Sequence, residues 1–573
     1  MQVQKKCSLI LFVVLGLGSG LKAEEVENYD SGKKRVAQIV SNDETGIPAY
    51  NKSNVHYAQT QNTAKDLEIK EIAKFFECKT LIGQSFIEET LKFPVSPEDK
   101  NSVLANRQNT IKALVENPEL KKQVDKLLCS AQSHEQEVVK LMSEFFIGKT
   151  CPDLTNLELI KKQNPWFLPM YEFFFLNSTG RSIATTMSIF GLGSSVYITQ
   201  LLGRAAYDVA QNGGDYNQLA LYTAYTGFAT ALYTYTNYKD YTAASEKRQK
   251  LHSLNQLIDI AEKFETLCTQ NSLHPQFKIS AISNEQGKAL VNALKSARYK
   301  NKTTWLFLTP LVHTFLYNLY QQDKHLAQVF ASIAELDAYN AIAGKIIESQ
   351  PNNNKLCFVK FIDNPQPTIN ARSFWNVLVK NSVTNNLSET KHVILTGPNA
   401  GGKSTTIRAL LQNIILGQSF GVAAAEEFEF TMFDIIGSYL NISDDQINGL
   451  SLFASEVKRA KEVLETIKSL QPHQKFFFAL DELFTGTVAE DGQKCAYDFI
   501  KKITSFDRVQ SIYATHFEKL KELGNSANRC VNYKVDAPIK NAQGKLVYPF
   551  TLNKGASNSH VALDLAKEAG LFD

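Results

Sequence analysis

Apolar residues recur at intervals of three and four along much of the first 350 positions, the spacing of helices with one buried face. In NSVLANRQNTIKALVENPELKKQVDKLL, the side chains Leu104, Ile111, Leu114 and Leu120 fall where a helix pair can bury them. LHSLNQLIDIAEKFETLC sets Leu251, Leu254, Leu257, Ile258, Ala261, Phe264 and Leu267 on one helical face, and FASIAELDAYNAIAGKIIE repeats the spacing. Residues 69–350 are therefore expected to be almost wholly α-helical. Two stretches break the pattern: Ser182–Leu202 and Tyr216–Tyr238 contain no charged residue, and each is long enough to span a bilayer. They form either a membrane hairpin or a buried helical one. Thr303–Tyr320 is a third uncharged run, interrupted by Pro310 and His313. After residue 355 the pattern changes. Short apolar runs (HVILTG, KFFFAL, VQSIYA) alternate with helical segments, which predicts an α/β domain with a mainly parallel sheet.

A length of 573 residues suggests two to four domains, and 44% hydrophobic with 21% charged residues is a globular composition. The net charge of +3 neither demands nor excludes a nucleic-acid partner, which would be held by local patches. The eight cysteines show no C-x-x-C pair and no accompanying His cluster, so neither a zinc site nor a dense disulfide framework is expected, and the spread suits a reduced compartment. The start of the chain points the other way. Lys5 and Lys6, an apolar run from Leu9 to Leu21, and Ala23 ahead of Glu24 and Glu25 have the grammar of a signal peptide or signal anchor over residues 1–23. Residues 24–68 are polar and weakly periodic, the pattern of a linker.

The motifs that carry chemistry lie in the α/β part. Gly397-Pro398-Asn399-Ala400-Gly401-Gly402-Lys403-Ser404 fits G-x-x-x-x-G-K-[ST] between a strand and a helix, the context of a phosphate-binding P-loop. Its backbone N–H groups and the following helix N-terminus suit phosphate oxygens. Lys403 is expected to reach the β- and γ-phosphates, and Ser404 to ligate Mg²⁺. The apolar run Phe476–Leu480 ends in Asp481-Glu482, a Walker B pattern. There Asp481 would hold the metal and Glu482 would polarise the attacking water. His516, after the strand-like SIYAT, is placed to contact the γ-phosphate. Between these, LNISDDQINGLSLFASEVKRA carries Ser451 at the opening of a helix, either a plain N-cap or a signature loop serving a nucleotide held by another subunit.

TGPNAGGKST, SDDQINGLSLFASEV, ALDELFTGT, ATHF and the closing NKGASNSHVALDLAKEAGL occur in the order and approximate spacing of the MutS family of mismatch-repair ATPases, which this sequence resembles. The resemblance is strong after residue 390. It extends more weakly upstream through FPVSPEDKNSVLANRQNTIKALVENPEL and IAELDAYNAIA. It implies a helical core and lever domain over 69–355, with 182–238 a candidate membrane hairpin in place of the clamp, followed over 356–573 by an ABC-type P-loop ATPase domain. It further implies a dimer with composite sites, DNA as partner, and ATP with Mg²⁺ as ligands. Residues 397–405, Thr405 included, would hold the nucleotide, with Ser451 acting in trans and Lys403, Glu482 and His516 in catalysis.

The departures are specific. Ala400 stands where the family has Met, Leu452 where it has Thr, and Phe484-Thr485-Gly486-Thr487 where it has Gly-Arg-Gly-Thr. Residues 24–70 are too few for a mismatch-reading domain, and the family's C-terminal helix-turn-helix is not recognised before Asp573. Two other readings stay open beside a dimeric DNA-associated ATPase: a membrane-tethered mechanochemical ATPase without mismatch recognition, and a nucleotide-gated interaction protein with negligible turnover. The expected placement is membrane-associated with the ATPase domain facing the cytoplasm, the alternatives being a soluble cytoplasmic or an exported protein.

Overall fold

Helical periodicity becomes helix wherever it is described. The computed structural model describes residues 60–146, 245–275, 277–281, 285–295, 326–398, 400–440, 452–525, 529–542 and 546–557, with isolated positions between 200 and 242. The first helices are α1 (Thr60–Asp66), α2 (Ile69–Phe75), α3 (Leu81–Lys92), α4 (Ala105–Glu116) and α5 (Pro118–Phe146). They are followed by α6 (residues 245–270), α7 (Glu285–Lys295) and α8 (Ala327–Ser349). Leu104, Ile111, Leu114 and Leu120 are all buried. In α6 the expected face holds from Leu251 to Phe264. It then departs by one position: Leu267 is half-buried and Cys268 takes the core.

Helix α1 lies inside the stretch expected to be a linker. Its polar residues are used rather than solvated. The buried Asp66 carboxylate accepts from Ser438 Oγ at 2.9 Å and from Leu440 N at 3.2 Å, so partners far along the chain order a segment whose composition suggests none. The segments 1–23, 303–320 and nearly all of 182–238 lie outside the described residues. Among the described residues no helix is long and apolar enough to cross a membrane.

The described residues divide into two compact units, one drawn from 60–129, 264–277 and 331–557, the other from 130–263 and 278–330. The first unit carries a six-stranded sheet: β1 (His392–Thr396), β2 (Ile435–Tyr439), β3 (Phe476–Asp481), β4 (Val509–Ala514), β5 (Cys530–Val535) and β6 (Leu552–Lys554). The spatial order is β6-β5-β1-β4-β3-β2, parallel throughout except for β6 at one edge. The intervening helices are α9 (Lys403–Phe420), α10 (Leu452–Ser469), α11 (Ala489–Ile503) and α12 (Lys521–Asn525). Because β1, β4 and β3 are parallel neighbours, the loops leaving all three emerge at the carboxyl end of the sheet, where parallel sheets hold their ligands. A second, mixed sheet is built from Lys360–Phe361, Glu427–Phe430, Ile369–Phe374 and Asn385–Glu389, in that spatial order.

The core on one face of the six-stranded sheet gathers Phe476, Phe478 and Leu480 of β3 with Val463 of α10 and Phe499 and Ile500 of α11. Helix α9 is buried nearly all round, and three of its buried polar side chains donate to distant backbone carbonyls. Asn413 Nδ2 donates to Trp375 O (3.1 Å), Gln418 Nε2 to Phe433 O (3.0 Å) and Ser419 Oγ to Thr90 O (3.2 Å). Arg107 of α4 donates to Ser419 O at 2.7 Å, placing a cation at the C-terminal, negative end of α9. The helix after the Gly-rich loop is thus fixed at its far end by the N-terminal helices.

Candidate functional site

The Gly-rich loop leaves β1 at Thr396 and closes onto the first turn of α9. Three of its residues have positive φ: Gly397 (153°), Ala400 (63°) and Gly402 (95°). Gly397 and Gly402 also lack room for a side chain. A Cβ at Gly397 would stand 3.1 Å from Val535 O, and one at Gly402 would stand 3.0 Å from the ring of Phe550. Ala400 takes the left-handed conformation without glycine's freedom, a local strain of the kind that active loops retain. Thr406 N and Thr406 Oγ1 both donate to Gly402 O at 2.9 Å, fastening the loop to the helix.

Lys403 is the first residue of α9, and its side chain is only 5% exposed. It turns back over the loop. Nζ lies 3.2 Å from Gly397 O, 3.4 Å from Pro398 O, 3.0 Å from His516 Nε2 and 3.6 Å from Glu482 Oε1. Burial pulls the ammonium below its ordinary pKa, and the charges of Glu482 and Asp481 pull it back only in part. His516 Nε2 is 2.7 Å from Glu482 Oε1. A single ring nitrogen either donates to the carboxylate or accepts from the ammonium. The shorter contact, to the carboxylate, favours a proton on Nε2. This hydrogen bond is the chief reason that the Glu482 carboxyl is held below the usual range.

Asp481, at the end of β3, is in the opposite state. Burial raises its carboxyl, with the hydroxyl of Ser404 hydrogen-bonded to it and Lys403 nearby as partial offsets. Its Oδ1 is buried and has no hydrogen-bond partner, the kind of orphaned acceptor that a bound cation would satisfy. Among the described residues no cluster of three or more His, Cys, Asp or Glu side chains forms a ready-made metal site. Asp481 and Ser404 offer two protein oxygens, a donor set that suits Mg²⁺ completed by water and phosphate rather than an all-protein cage.

The structure therefore brings together Gly397, Pro398, Ala400, Gly401, Gly402, Lys403, Ser404, Thr405, Asp481, Glu482 and His516 at the carboxyl end of the sheet. Asn399 and Ser451 lie outside the described residues. Beside Gly402 and Thr405 is a cavity of about 270 Å³ walled by Trp375, Asn376, Val379 and Phe550. Asn376 Nδ2 donates to Thr405 O at 3.3 Å and ties this wall to the loop. None of these wall residues stands out in the sequence, since they come from two loops more than 160 positions apart.

Glu456 is a second omission. It is 1% exposed and accepts from the turn after Glu482. A signal for it does exist: it falls on the same face of α10 as Ala460, Val463 and Ile467, and an acid on an apolar face requires a partner.

Residues 393–573 match the family model described as MutS domain V. Three similar relatives are each named DNA mismatch repair protein MutS. That of Streptococcus agalactiae is 27% identical over 248 residues, 43% of this chain and 28% of that protein. That of Streptococcus equi subsp. equi is 29% identical over 263 residues, 45% and 29%. That of Streptococcus thermophilus is 31% identical over 184 residues, 32% and 21%. The chain thus spans less than a third of the length of the relatives it matches. The domain match and these relatives fall on the half of the chain that builds the site, and they make residues 393–573 similar to domain V of the MutS proteins.

Proposed function

We propose that residues 356–573 form an ABC-type P-loop ATPase domain that binds ATP with Mg²⁺ and hydrolyses it to ADP and phosphate. The observation that carries this reading is the convergence of Lys403, Glu482 and His516 within 3.6 Å of one another over the Gly-rich loop, with the Ser404–Asp481 pair beside them. The loop backbone and the N-terminus of α9 cradle phosphates. Lys403, now bonded to its own loop carbonyls, exchanges them for phosphate oxygens. Asp481 and Ser404 hold Mg²⁺, which when bound neutralises charge on the transferring group. Glu482 then orients and polarises a water, and His516 contacts the terminal phosphate. The cavity between Trp375 and Phe550 takes the nucleoside base by stacking.

By likeness to the relatives, DNA is the proposed partner of the whole protein and a homodimer with composite sites its proposed active form, with Ser451 of one copy serving the nucleotide of the other. The helices over 69–355 are the proposed core and lever, in a compartment that holds ATP.

The test is a pair of substitutions. Lys403→Ala weakens nucleotide binding, whereas Glu482→Gln retains binding and slows single-turnover hydrolysis by on the order of 100-fold. Unchanged single-turnover hydrolysis in Glu482→Gln would overturn the assignment.

A further inference from the structure

We propose that Glu456 and Thr485 act together as positioning residues for Glu482. This rests on the reading above, in which Glu482 polarises the attacking water. The acid leaves β3 into a turn that L-residues resist: Glu482 (φ 52°) and Phe484 (φ 68°) are both left-handed without being glycine. Such a conformation persists only where its surroundings hold it.

Four contacts do so. Glu482 N donates to Ala514 O at 3.0 Å, and Tyr513 OH donates to Leu483 O at 3.0 Å. Thr485 Oγ1 lies 3.2 Å from Glu482 O. The fourth is the carboxylate of Glu456. Its Oε1 accepts from Thr485 N at 2.9 Å and stands 3.3 Å from Thr485 Oγ1, and its Oε2 accepts from Gly486 N at 3.1 Å.

The Thr485 hydroxyl is the joint between these. Its single proton is shared by the Glu456 carboxylate and the backbone carbonyl of Glu482 itself. Gly486 lets the turn approach this closely, since a Cβ there would stand 2.7 Å from Phe453 N at the start of α10. A buried carboxylate is strongly unfavourable unless donors satisfy it. An apolar residue at position 456 would suit the neighbouring Ala460 and Val463 better. What the acid accomplishes at this position is to fix the turn, and with it the backbone from which the Glu482 side chain is aimed. The hydrogen bonds of Glu456 among the described residues go to Thr485 and Gly486, so its effect reaches the chemistry through that turn.

The experiment uses the full chain and two readouts, single-turnover ATP hydrolysis and the Kd of a fluorescent ADP analogue. Glu456→Gln sets an amide NH₂ against a backbone N–H, and Thr485→Val removes the hydroxyl at nearly constant shape. Each lowers the hydrolysis rate by about tenfold or more, because misplacing a reacting group by a fraction of an ångström is costly. The Kd stays within about twofold, and the double variant loses no more than the worse single one, the mark of residues that act as one unit. Thr485→Ser, which keeps the hydroxyl, recovers most of the rate.

Rates near wild type in Glu456→Gln and Thr485→Val, while Glu482→Gln stalls in the same assay, would refute the positioning role and leave the ATPase reading standing. Additive losses, or a Kd that weakens in step with the rate, would also refute it, as signs of general disruption. Full activity in Glu482→Gln would remove both. If Glu456→Gln does not fold, the Thr485→Val and Thr485→Ser pair decides.

Discussion

His392 begins β1, five residues ahead of the Gly-rich loop, and is 3% exposed, with Nδ1 2.9 Å from Ser511 Oγ. Burial, and secondarily the charge of Arg529, pushes its pKa down to about 4, so the folded protein holds it neutral. An unfolded chain takes up the proton near the ordinary histidine value. Between these two values the unfolded state binds more protons, and stability therefore falls as the pH drops from about 6.5 to about 4 and levels off below that. The full loss from this one group is on the order of 3 kcal/mol. Denaturant titrations across this window should show a shallower pH slope for His392→Asn than for the wild-type chain, and parallel slopes would show that His392 titrates normally. The same competition between burial and charge sets the other groups of the site. Asp481 is raised by burial and Glu482 is lowered by His516, so adjacent carboxylates differ because only one has a strong donor. Residue types alone announce that two acids stand together; the division between them is visible only once His516 is seen to face the second.

At the scale of elements, legibility follows burial on both faces. HVILT, FFFALD and VQSIYA stand out in the sequence because central parallel strands bury every position, and the structure buries nearly all of them. Asn385–Glu389, NNLSE, has the composition of a loop yet is a strand with alternate residues buried. Its inward polar groups are satisfied from afar: Asn385 Oδ1 accepts from Leu552 N at 2.7 Å, and Glu389 Oε1 from Tyr533 OH at 2.9 Å and from Lys554 at 2.7 Å. No local pattern encodes such partners, and the second sheet is unread in the sequence for that reason. Helix α11 shows the converse, a residue whose local preference misleads. Gly492 sits inside it, where alanine would gain about 1 kcal/mol of helix propensity. Its missing Cβ, however, faces the carbonyl of Phe484 in the turn that follows Glu482, at a separation that no methyl group could tolerate. Backbone cannot swing aside as a side chain can. Gly492→Ala should therefore destabilise the domain by roughly 1–3 kcal/mol, the range for overpacking. It should also slow hydrolysis, both being measured on the same preparation by thermal melting and single turnover. A gain in melting temperature would mean that the turn yields freely.

For the molecule as a whole, the described groups of the site come from the carboxyl end of one sheet and leave it half open. The side chains of Glu482 and His516 are each 41% exposed. The proposed phosphoryl transfer would rely on electrostatic stabilisation that is strong only where water is excluded, so that reading calls for a cover over this end of the sheet. In the proposed dimer the cover is a second copy, which brings its Ser451 to the nucleotide across a symmetric interface. The geometry of such a pair makes a quantitative prediction. In a mixed dimer of a Lys403→Ala chain and a Ser451→Ala chain, one composite site carries both substitutions and the other carries neither. Each parent dimer has no intact site. Random mixing of equal amounts should therefore restore about a quarter of the wild-type turnover, half of the dimers being mixed and each having one of two sites intact. Activity is to be read against the fraction of mixed dimers, isolated through two different affinity tags. Recovery in proportion to that fraction supports the composite site. Verified mixed dimers that stay as inactive as their parents would show that Lys403 and Ser451 serve a nucleotide within one chain.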